Sequence, residues 1–336
     1  MAKPPAIIVI GTSEGGVEAL RFMAAALPAD LAAALFVVLH IGARKSELAR
    51  LLNHNTRIPA IHPRDGDLIQ AGHIYVGVPD HHLVIDPGRI RLTKGPSENW
   101  TRPAIDPLFR SAANAYGADV IGVVLTGGLN DGTAGLYEIK RRGGVTVVQD
   151  PADAISPSRP RSALAHVEVD YCLPLAEIPA LLVELVAKRD AHVPLDRTHP
   201  TLASGRGLDM TAEYKQDRPV AVTCPDCGGA LRRLELGTLT QFACHIGHIY
   251  TAEVMVAAQF AALDISLAAA LRSLSERAEI CRQMADKVRT AGNPPAGTQW
   301  DAAMRETMER AAVLRGLIEE KWTHPGDLEH PLPAGP

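Results

Sequence analysis

Three segments of the chain carry side chains that could act together in acyl transfer. The first is Gly11-Thr12-Ser13-Glu14-Gly15, in which a serine stands between two glycines. Small neighbours let the backbone turn tightly at a nucleophile, and a helix that starts there offers free N–H groups to an oxyanion. The same pattern also fits a serine that caps a helix, or a phosphate-binding turn.

His40 and Asp131 are the other two candidates for this chemistry. His40 ends the apolar run Phe36–His40, and Asp131 follows the run Asp119–Leu125. Ligands of a parallel sheet bind at the carboxyl ends of its strands, so Ser13, His40 and Asp131 are expected at one edge. There they could form a triad in which Asp131 orients His40. Taken singly, the histidine could be packed or solvated, and the aspartate could be a helix cap.

A second group of residues has the spacing of a metal site. Cys224 and Cys227 form a Cys-x-x-Cys turn, and Cys244 and His248 follow as Cys-x-x-x-His. Three thiolates and one imidazole suit tetrahedral zinc, and four ligands leave no open position, so this zinc would be structural. His245 is the alternative fourth ligand. A redox pair or plain buried cysteines are the alternatives to a metal.

The elements that must position these residues follow from the pattern of residues 1–188. Apolar runs alternate there with helical patterns, which predicts parallel strands joined by crossover helices. The fold class is therefore α/β, with a doubly wound, mainly parallel, Rossmann-like sheet. The predicted strands are Ala6–Ile10, Phe36–His40, Asp119–Leu125 and Val145–Val148. Three shorter runs are expected to form inserted antiparallel β-hairpins: His73–Gly77, Leu83–Asp86 and Ile90–Lys94.

The remainder of the chain divides into four predicted segments. Prolines and glycines dominate a linker at 189–222, and a zinc-binding unit follows at 223–250. A helical hairpin is expected at 251–322, from Thr251–Thr290 and Ala302–Lys321, which Asn293-Pro294-Pro295 separates. The tail 323–336 is expected to be flexible. Because the linker lies between the triad and the zinc-binding unit, a chain that ends near Lys188 is expected to keep its activity on a small ester.

Composition excludes several classes of partner. The formal net charge of -4 leaves no basic excess to hold a phosphate backbone, which argues against nucleic acid. Met1–Pro5 has no signal-peptide layout, and no stretch reaches the roughly 20 apolar residues of a membrane span. Five cysteines, three of them at metal-like spacing, favour a reduced, cytoplasmic setting over a disulfide framework. Cys172 and Cys281 lie in apolar patterns and are expected to be packed thiols.

With these motifs in order, the sequence resembles the catalytic domain of the CheB-type chemotaxis methylesterases, also described as protein-glutamate methylesterase/glutaminases. The resemblance covers about Ala6 to Leu182. It rests on Ile8–Ser13, the His40 strand, Asp65-Gly66, His73–Val76, Pro79–Leu83, Gly95–Asn99, Arg102–Ser111, Leu125–Gly127, Asn130–Gly132, Gly143-Gly144 and Gln149–Pro151.

The resemblance implies that Ser13 is the nucleophile, His40 the base and Asp131 the orienting acid, with no cofactor needed for catalysis. It implies a methylated receptor or another signalling protein as the substrate. The best-known members carry an N-terminal receiver domain, whereas the first catalytic strand here begins at Ala6, so a stand-alone form is expected. Some stand-alone members end in a unit similar to the one predicted to bind zinc.

Three positions depart from the family pattern. Glu14 stands where threonine is usual, Gly128-Leu129 replaces a Met-Gly pair, and Arg159 replaces the methionine of a Met-Pro-Arg segment. All three are expected at the rim of the pocket, where they would affect the choice of substrate. Glu14 would repel an acidic substrate unless a cation such as Arg102 or Arg161 offsets it.

Two hypotheses for function follow. The first is a serine hydrolase that demethylates glutamate methyl esters on chemoreceptor-like proteins, releases methanol, and could also deamidate glutamine. Its rate is expected to rise through an apparent pKa of about 7, because His40 must be neutral to act as a base. The alternative is a non-catalytic signalling adaptor that retains the esterase fold and recruits a partner through the zinc and helical region. The three triad residues favour the enzyme, whereas the altered rim leaves the adaptor open.

Overall fold

A parallel sheet forms the centre of the computed structural model, which describes residues 5–40, 46–54, 56–191 and 220–320. The strands are β1 (Ala6–Thr12), β2 (Ala33–Leu39), β3 (Ala60–Ile61), β4 (His73–Val76), β5 (His82–Asp86), β6 (Arg89–Thr93), β7 (Val120–Val124), β8 (Val145–Gln149), β9 (Tyr171–Leu173), β10 (Leu231–Leu236), β11 (Leu239–Cys244) and β12 (Ile249–Thr251). The helices are α1 (Gly16–Ala26), α2 (Leu48–Asn53), α3 (Ile105–Tyr116), α4 (Thr133–Arg141), α5 (Ser158–His166), α6 (Ile178–Ala191), α7 (Ala252–Thr290) and α8 (Pro294–Glu319).

Strand β1 lies in the middle of the seven-stranded sheet, whose order is β3-β4-β2-β1-β7-β8-β9. Every neighbouring pair in this sheet is parallel. Since β2 and β7 flank β1, the strand ends that precede Ser13, His40 and Asp131 lie side by side. The predicted α/β fold with a doubly wound, mainly parallel sheet is confirmed.

The side chains of β1 enter two apolar layers, one on each face of the sheet. Ile8 packs in the layer that contains Met23 of α1, whereas Ile7 packs in the layer that contains Phe109 of α3. Burying one such side chain contributes about 2 kcal/mol. Burial on both faces explains why these strands are continuous apolar runs rather than alternating ones.

Strand β4 differs from its prediction. It pairs in parallel with β2 in the main sheet, so its assignment to an antiparallel hairpin was wrong. The other two runs form the antiparallel hairpin β5–β6, as predicted. A run of four residues carries too little periodicity to fix its pairing partner, and Ile74 and Val76 bury equally well beside β2.

The chain divides into two compact units, residues 1–254 and 255–336. The predicted zinc-binding segment therefore belongs to the same compact unit as the catalytic sheet, where it forms the antiparallel ribbon β10-β11-β12. The predicted linker 189–222 lies mostly outside the described residues, although α6 reaches Ala191. The predicted tail 323–336 lies wholly outside them.

The C-terminal helices α7 and α8 follow the ribbon, and α8 begins earlier than predicted, at Pro294 rather than Ala302. Asn293 caps this helix, because its Oδ1 accepts a hydrogen bond from Ala296 N at 3.2 Å. Pro294 and Pro295 occupy the first turn, where a missing N–H costs nothing. The same prolines that end one helical pattern thus begin the next helix.

Helix α7 also has a composition that the sequence analysis misjudged. It contains an 18-residue window of mean hydropathy 1.9, long and apolar enough to span a membrane by length and composition alone. The expectation that no stretch reaches this level was wrong on that criterion. Only 17% of the window is buried inside the structure, and one such helix is weak evidence for a membrane.

The two cysteines outside the metal-like cluster differ in burial. Cys281 is buried, as expected. Cys172 is exposed, so its prediction as a packed thiol was wrong. The reason is its place in β9, which forms the edge of the sheet.

Candidate active site

Ser13 stands in the turn between β1 and α1. Gly15 has a φ of 74°, which L side chains rarely adopt, and a Cβ on Gly16 would overlap with Thr12 Oγ1. The turn therefore requires both glycines. Ser13 N donates to Thr126 O at 3.2 Å, which joins this turn to the loop after β7.

His40 and Asp131 meet at the same edge of the sheet. His40 Nε2 lies 2.7 Å from Asp131 Oδ2, and His40 N donates to the oxygen of Thr12, the residue before Ser13. Since the carboxylate takes Nε2–H, the ring nitrogen left to accept a proton is Nδ1. In the described structure no hydrogen bond joins Ser13 Oγ to His40. Catalytic hydrogen bonds are often long before substrate binds.

Asp131 is 1% exposed, and its charge is compensated by the groups around it. Oδ2 accepts from Ile105 N at 2.6 Å, and Oδ1 accepts from Asn99 Nδ2 at 2.8 Å and from Asp106 N at 3.2 Å. Burial alone would raise the pKa of Asp131, but the hydrogen bond and charge of His40, with these donors, lower it below its ordinary value. Asp131 is therefore ionised at neutral pH and can stabilise an imidazolium.

A second buried carboxylate, Asp106, lies beside Asp131. Its Oδ1 accepts from Gly132 N at 3.0 Å and from Gly135 N at 2.7 Å, and its Oδ2 accepts from Asn99 Nδ2 at 2.8 Å. Burial, followed by the charge of Asp131, raises the pKa of Asp106 well above its ordinary value. One amide group, that of Asn99, thus bonds to both carboxylates.

Arg159 is fully buried beside His40, so the expectation that it lies at the pocket rim was wrong. Its Nη2 lies 3.2 Å from Gly128 O and 3.4 Å from His40 Nδ1. Its Nε and Nη1 have no hydrogen-bond partner among the residues that the structure describes. A Cβ on Gly127 would overlap with both Arg159 Nη1 and Ser13 Oγ, so the guanidinium also lies close to the candidate nucleophile.

The positive charge of Arg159 affects the pKa of His40, the candidate base. Burial lowers the pKa of Arg159 to about 10, so it remains a cation at neutral pH. Burial is also the largest effect on His40, whose pKa falls below its ordinary value. Asp131 opposes this shift and Arg159 adds to it. His40 is therefore neutral, and able to act as a base, over a wider pH range than a free histidine.

At the rim, Glu14 and Leu129 are exposed. The Arg102 guanidinium donates to Asp80 Oδ1 at 2.9 Å and to Gly95 O at 2.7 Å, and not to Glu14. Among the described residues no ion pair joins Glu14 to Arg161 either, so the suggested offset is absent. A substrate that binds at Ser13 therefore meets an uncompensated negative charge at Glu14.

The ribbon brings Cys224, Cys227, Cys244 and His248 together, with their ligand atoms within 4.8 Å of one another. Cys227 Sγ lies 3.7 Å from Cys244 Sγ, and His248 Nδ1 lies 3.4 Å from Cys244 Sγ and 3.6 Å from Cys224 Sγ. The edges of a zinc tetrahedron are about 3.8 Å between sulfurs and about 3.5 Å between sulfur and nitrogen, given bonds of about 2.3 and 2.0 Å. His245, the alternative ligand, is exposed and lies outside this group.

Several residues of this site received no role from the sequence. Asn99 and Asp106 fall in segments that carry the family resemblance, which was the one available signal. Arg159 stood out only as a departure from the family pattern, and nothing in the sequence indicated that it points inward.

A parallel α/β sheet with a serine on a tight turn, and with a histidine hydrogen-bonded to a buried aspartate at its carboxyl edge, is typical of a serine hydrolase. The family model described as CheB methylesterase matches residues 8–182. The chain therefore belongs to the CheB methylesterase family.

Three similar proteins extend this result. A Leptospira interrogans protein, provisionally named a protein-glutamate methylesterase/protein-glutamine glutaminase, is 39% identical over 180 residues, 53% of this chain and 93% of that protein. The Pyrococcus horikoshii protein-glutamate methylesterase/protein-glutamine glutaminase is 35% identical over 185 residues, 53% of this chain and 50% of that protein. The crystal structure of the Thermotoga maritima CheB methylesterase catalytic domain has a TM-score of 0.52 and 32% identity, and covers 54% of this chain and 98% of that one.

Proposed function

We propose that this chain hydrolyses methyl esters of glutamate side chains on proteins, with Ser13 as nucleophile, His40 as base and Asp131 as orienting acid. The observation that carries the proposal is the 2.7 Å contact between His40 Nε2 and Asp131 Oδ2, at the sheet edge where Ser13 lies. The names of the relatives supply the substrate class, since they include protein-glutamate methylesterase.

The reaction proceeds in two halves. His40 Nδ1 takes the proton of Ser13 Oγ as that oxygen attacks the ester carbonyl carbon. The tetrahedral intermediate collapses, His40 returns the proton to the methoxy oxygen, and methanol leaves the acylated serine. Water then attacks the acyl group, His40 takes its proton and passes it to Ser13 Oγ, and the glutamate carboxyl is released. Asp131 stabilises the imidazolium in both halves.

A glutamine side chain would follow the same steps, with ammonia leaving in place of methanol. The alternative of a non-catalytic adaptor is not favoured, because the family match covers the catalytic domain and includes all three triad residues. Burying a charged carboxylate against a histidine is costly, and a surface used only for binding has no need of it.

We propose a methylated receptor or a related signalling protein in the cytoplasm as the substrate. The exposed Glu14 beside the nucleophile disfavours substrate segments that are acidic around the ester. The four-ligand cluster supports a cytoplasmic setting, since its thiols must stay reduced to bind a metal.

We propose zinc as the metal of the cluster, in a structural role. Three sulfurs and one ring nitrogen are the donor set that zinc prefers, and their separations fit a tetrahedron. Residues 220–250 are too few to build a sufficient core of their own, so the metal would stabilise the ribbon by binding only its folded form. Freshly purified, reduced protein should contain one zinc per chain by elemental analysis, and a chain without metal would contradict this assignment.

The activity is tested by incubating the full chain with membranes that carry methylated receptors and measuring the methanol released. Ser13→Ala should abolish the release and change the free energy of unfolding by about 1 kcal/mol or less, since a partly exposed serine adds little to the core. A variant that retains wild-type release would show that Ser13 is not the nucleophile. Ser266→Ala is the control for a serine substitution, because Ser266 is exposed and its hydroxyl bonds to Ala262 O of its own helix α7.

A further inference from the structure

The last strand of the ribbon lies against the triad. β12 begins at Ile249, directly after the candidate ligand His248. Ile249 O accepts a hydrogen bond from Asn99 N at 2.7 Å, and Thr251 N donates to Asn99 Oδ1 at 3.0 Å. Asn99 is 2% exposed and has a φ of 49°, so it is a buried residue held in a left-handed conformation. The contacts with β12 compensate for the cost of that conformation.

The same Asn99 side chain contacts the candidate catalytic carboxylate. Its Nδ2 donates to Asp131 Oδ1 and to Asp106 Oδ2, each at 2.8 Å. Rotating the amide by 180° would turn Oδ1 toward two carboxylate oxygens, and Nδ2 toward the N–H of Thr251, which would be repulsive on both sides. The backbone N–H of Thr251 therefore fixes the orientation in which Asn99 holds Asp131.

A second set of hydrogen bonds joins β12 to the loop that carries Asp131. Thr251 Oγ1 donates to Asn130 Oδ1 at 2.5 Å, and Asn130 precedes Asp131 in the chain. Asn130 Nδ2 donates in turn to Glu253 Oε2 at 2.5 Å. Thr251 is fully buried and Asn130 is 2% exposed, so water cannot readily replace these bonds.

A metal bound by the four-ligand cluster would hold β12 more firmly. β12 pairs with β11 through three residue pairs, and two of the four candidate ligands flank the turn between these strands: Cys244 ends β11, and His248 directly precedes β12. With a metal bound, this turn is clamped to Cys224 and Cys227. Without it, the three-residue strand depends on its pairing with β11 and on its hydrogen bonds to Asn99 and Asn130.

We propose that the metal-binding ribbon is a positioning element of the active site, which holds Asp131 against His40 through Asn99 and Asn130. This inference rests on the proposed esterase function. It reverses the expectation that a chain ending near Lys188 would keep its activity on a small ester. Such a chain lacks Thr251, and therefore lacks both the hydrogen bond to Asn99 and the hydrogen bond to Asn130.

The experiment uses the full chain and a small glutamate methyl ester, and it compares Thr251→Val with Thr240→Val. Both substitutions replace a ribbon hydroxyl, but among the described residues Thr240 Oγ1 bonds only to the exposed Glu235. Thr251→Val should keep its bound metal, lower kcat by about 10- to 100-fold and leave KM nearly unchanged, because misplaced catalytic groups slow chemistry more than binding. Thr240→Val should match the wild type. Metal removed by a chelator should reproduce the loss, and metal added back should reverse it.

The pKa of His40, followed by NMR titration, separates positioning from general stabilisation. Asp131 raises this pKa and Arg159 lowers it, so a loosened Asp131 should move the pKa further down in both Thr251→Val and the metal-free chain. Unchanged kcat and unchanged His40 pKa in both samples would overturn the proposal. The proposal would also be overturned if the fall in kcat equals the fraction of protein that is unfolded and the pKa of His40 in the folded protein does not change. If the wild type hydrolyses no ester, the proposed function fails, and the His40 pKa still decides whether the ribbon positions Asp131.

Discussion

The two charged groups on either side of His40 differ in how completely the protein surrounds them. The oxygens of Asp131 accept four hydrogen bonds, from His40, Ile105, Asp106 and Asn99. Arg159 is as deeply buried, yet two of its three guanidinium nitrogens have no partner among the described residues. Both carboxylate oxygens of Asp131 are thus hydrogen-bonded before substrate binds, whereas the Arg159 guanidinium keeps donors that are not hydrogen-bonded to any described residue.

This difference has an energetic meaning. Each buried donor left without a partner costs about 1 to 3 kcal/mol, so Arg159 is kept at the expense of stability. An unsatisfied buried group in a native protein calls for an explanation, and a catalytic role or a bound water or ion are among the possible ones. The contrast therefore predicts that substitutions on the Asp131 side reduce the rate, whereas substitutions at Arg159 raise stability and change the pH dependence.

The largest expected effect is that of Asp131→Asn. The amide keeps the shape of the carboxylate but loses its charge, so His40 is no longer held in the reactive tautomer, and kcat should fall by about 10⁴-fold. The measurement is steady-state hydrolysis of a glutamate methyl ester. Asp106→Asn is the matched control, because Asp106 is equally buried but does not contact His40, and it should lower kcat far less. Equal losses in the two variants would show that the role of Asp131 is only structural.

Arg159→Met restores the residue usual in the family and should raise the free energy of unfolding by about 1 to 3 kcal/mol, measured by urea denaturation at pH 7. The pKa of Arg159 is lowered to about 10, so its cationic form is disfavoured in the folded chain. That cost is fully present below pH 10 and fades as pH rises through it, so the gain should shrink above pH 10.

The control for this substitution is Arg161→Met, which removes an exposed arginine from the same helix and should change stability by about 0.5 kcal/mol or less. Arg159→Met should also move the pKa of His40 upward, because the arginine charge lowers it. A variant that is less stable than the wild type, with His40 unchanged, would mean that Arg159 is compensated by groups other than those described.

The smallest expected effect concerns the wild-type chain alone. Burial and Arg159 together lower the pKa of His40 below 6.5, despite Asp131. Since the neutral ring is the proposed base, activity should be complete at pH 7 and be lost only as pH falls through this lowered pKa. The sequence analysis placed the midpoint near 7. A profile of kcat/KM against pH with its midpoint at or above 6.5 would contradict the structural argument.

The sequence predicted the parts of the site that depend on local pattern. Continuous apolar runs located β1, β2 and β7, and the rule for parallel sheets then placed Ser13, His40 and Asp131 at one edge. The spacing of Cys224, Cys227, Cys244 and His248 likewise predicted the cluster that the ribbon forms. Both inferences need only short-range periodicity and a general packing rule.

The parts that were missed depend on contacts between distant residues. Asn99 and Thr251 are separated by 152 positions, and no local pattern links them. The burial of Arg159 runs against the ordinary preference of arginine for the surface, and the sequence analysis expected this residue at the pocket rim. The direction of β4 was missed because its pairing is set by β2, not by its own four residues.

The separation of Asn99 from Thr251 also has a consequence for the timing of synthesis. A ribosome adds about 5 to 20 residues per second, so the 152 positions between these partners take roughly 8 to 30 seconds to translate. During that interval the sheet with Ser13, His40 and Asp131 can already fold, while the strand that orients Asn99 does not yet exist. On the proposed positioning role, a nascent chain therefore stays a poor esterase until its C-terminal ribbon has emerged and bound its metal.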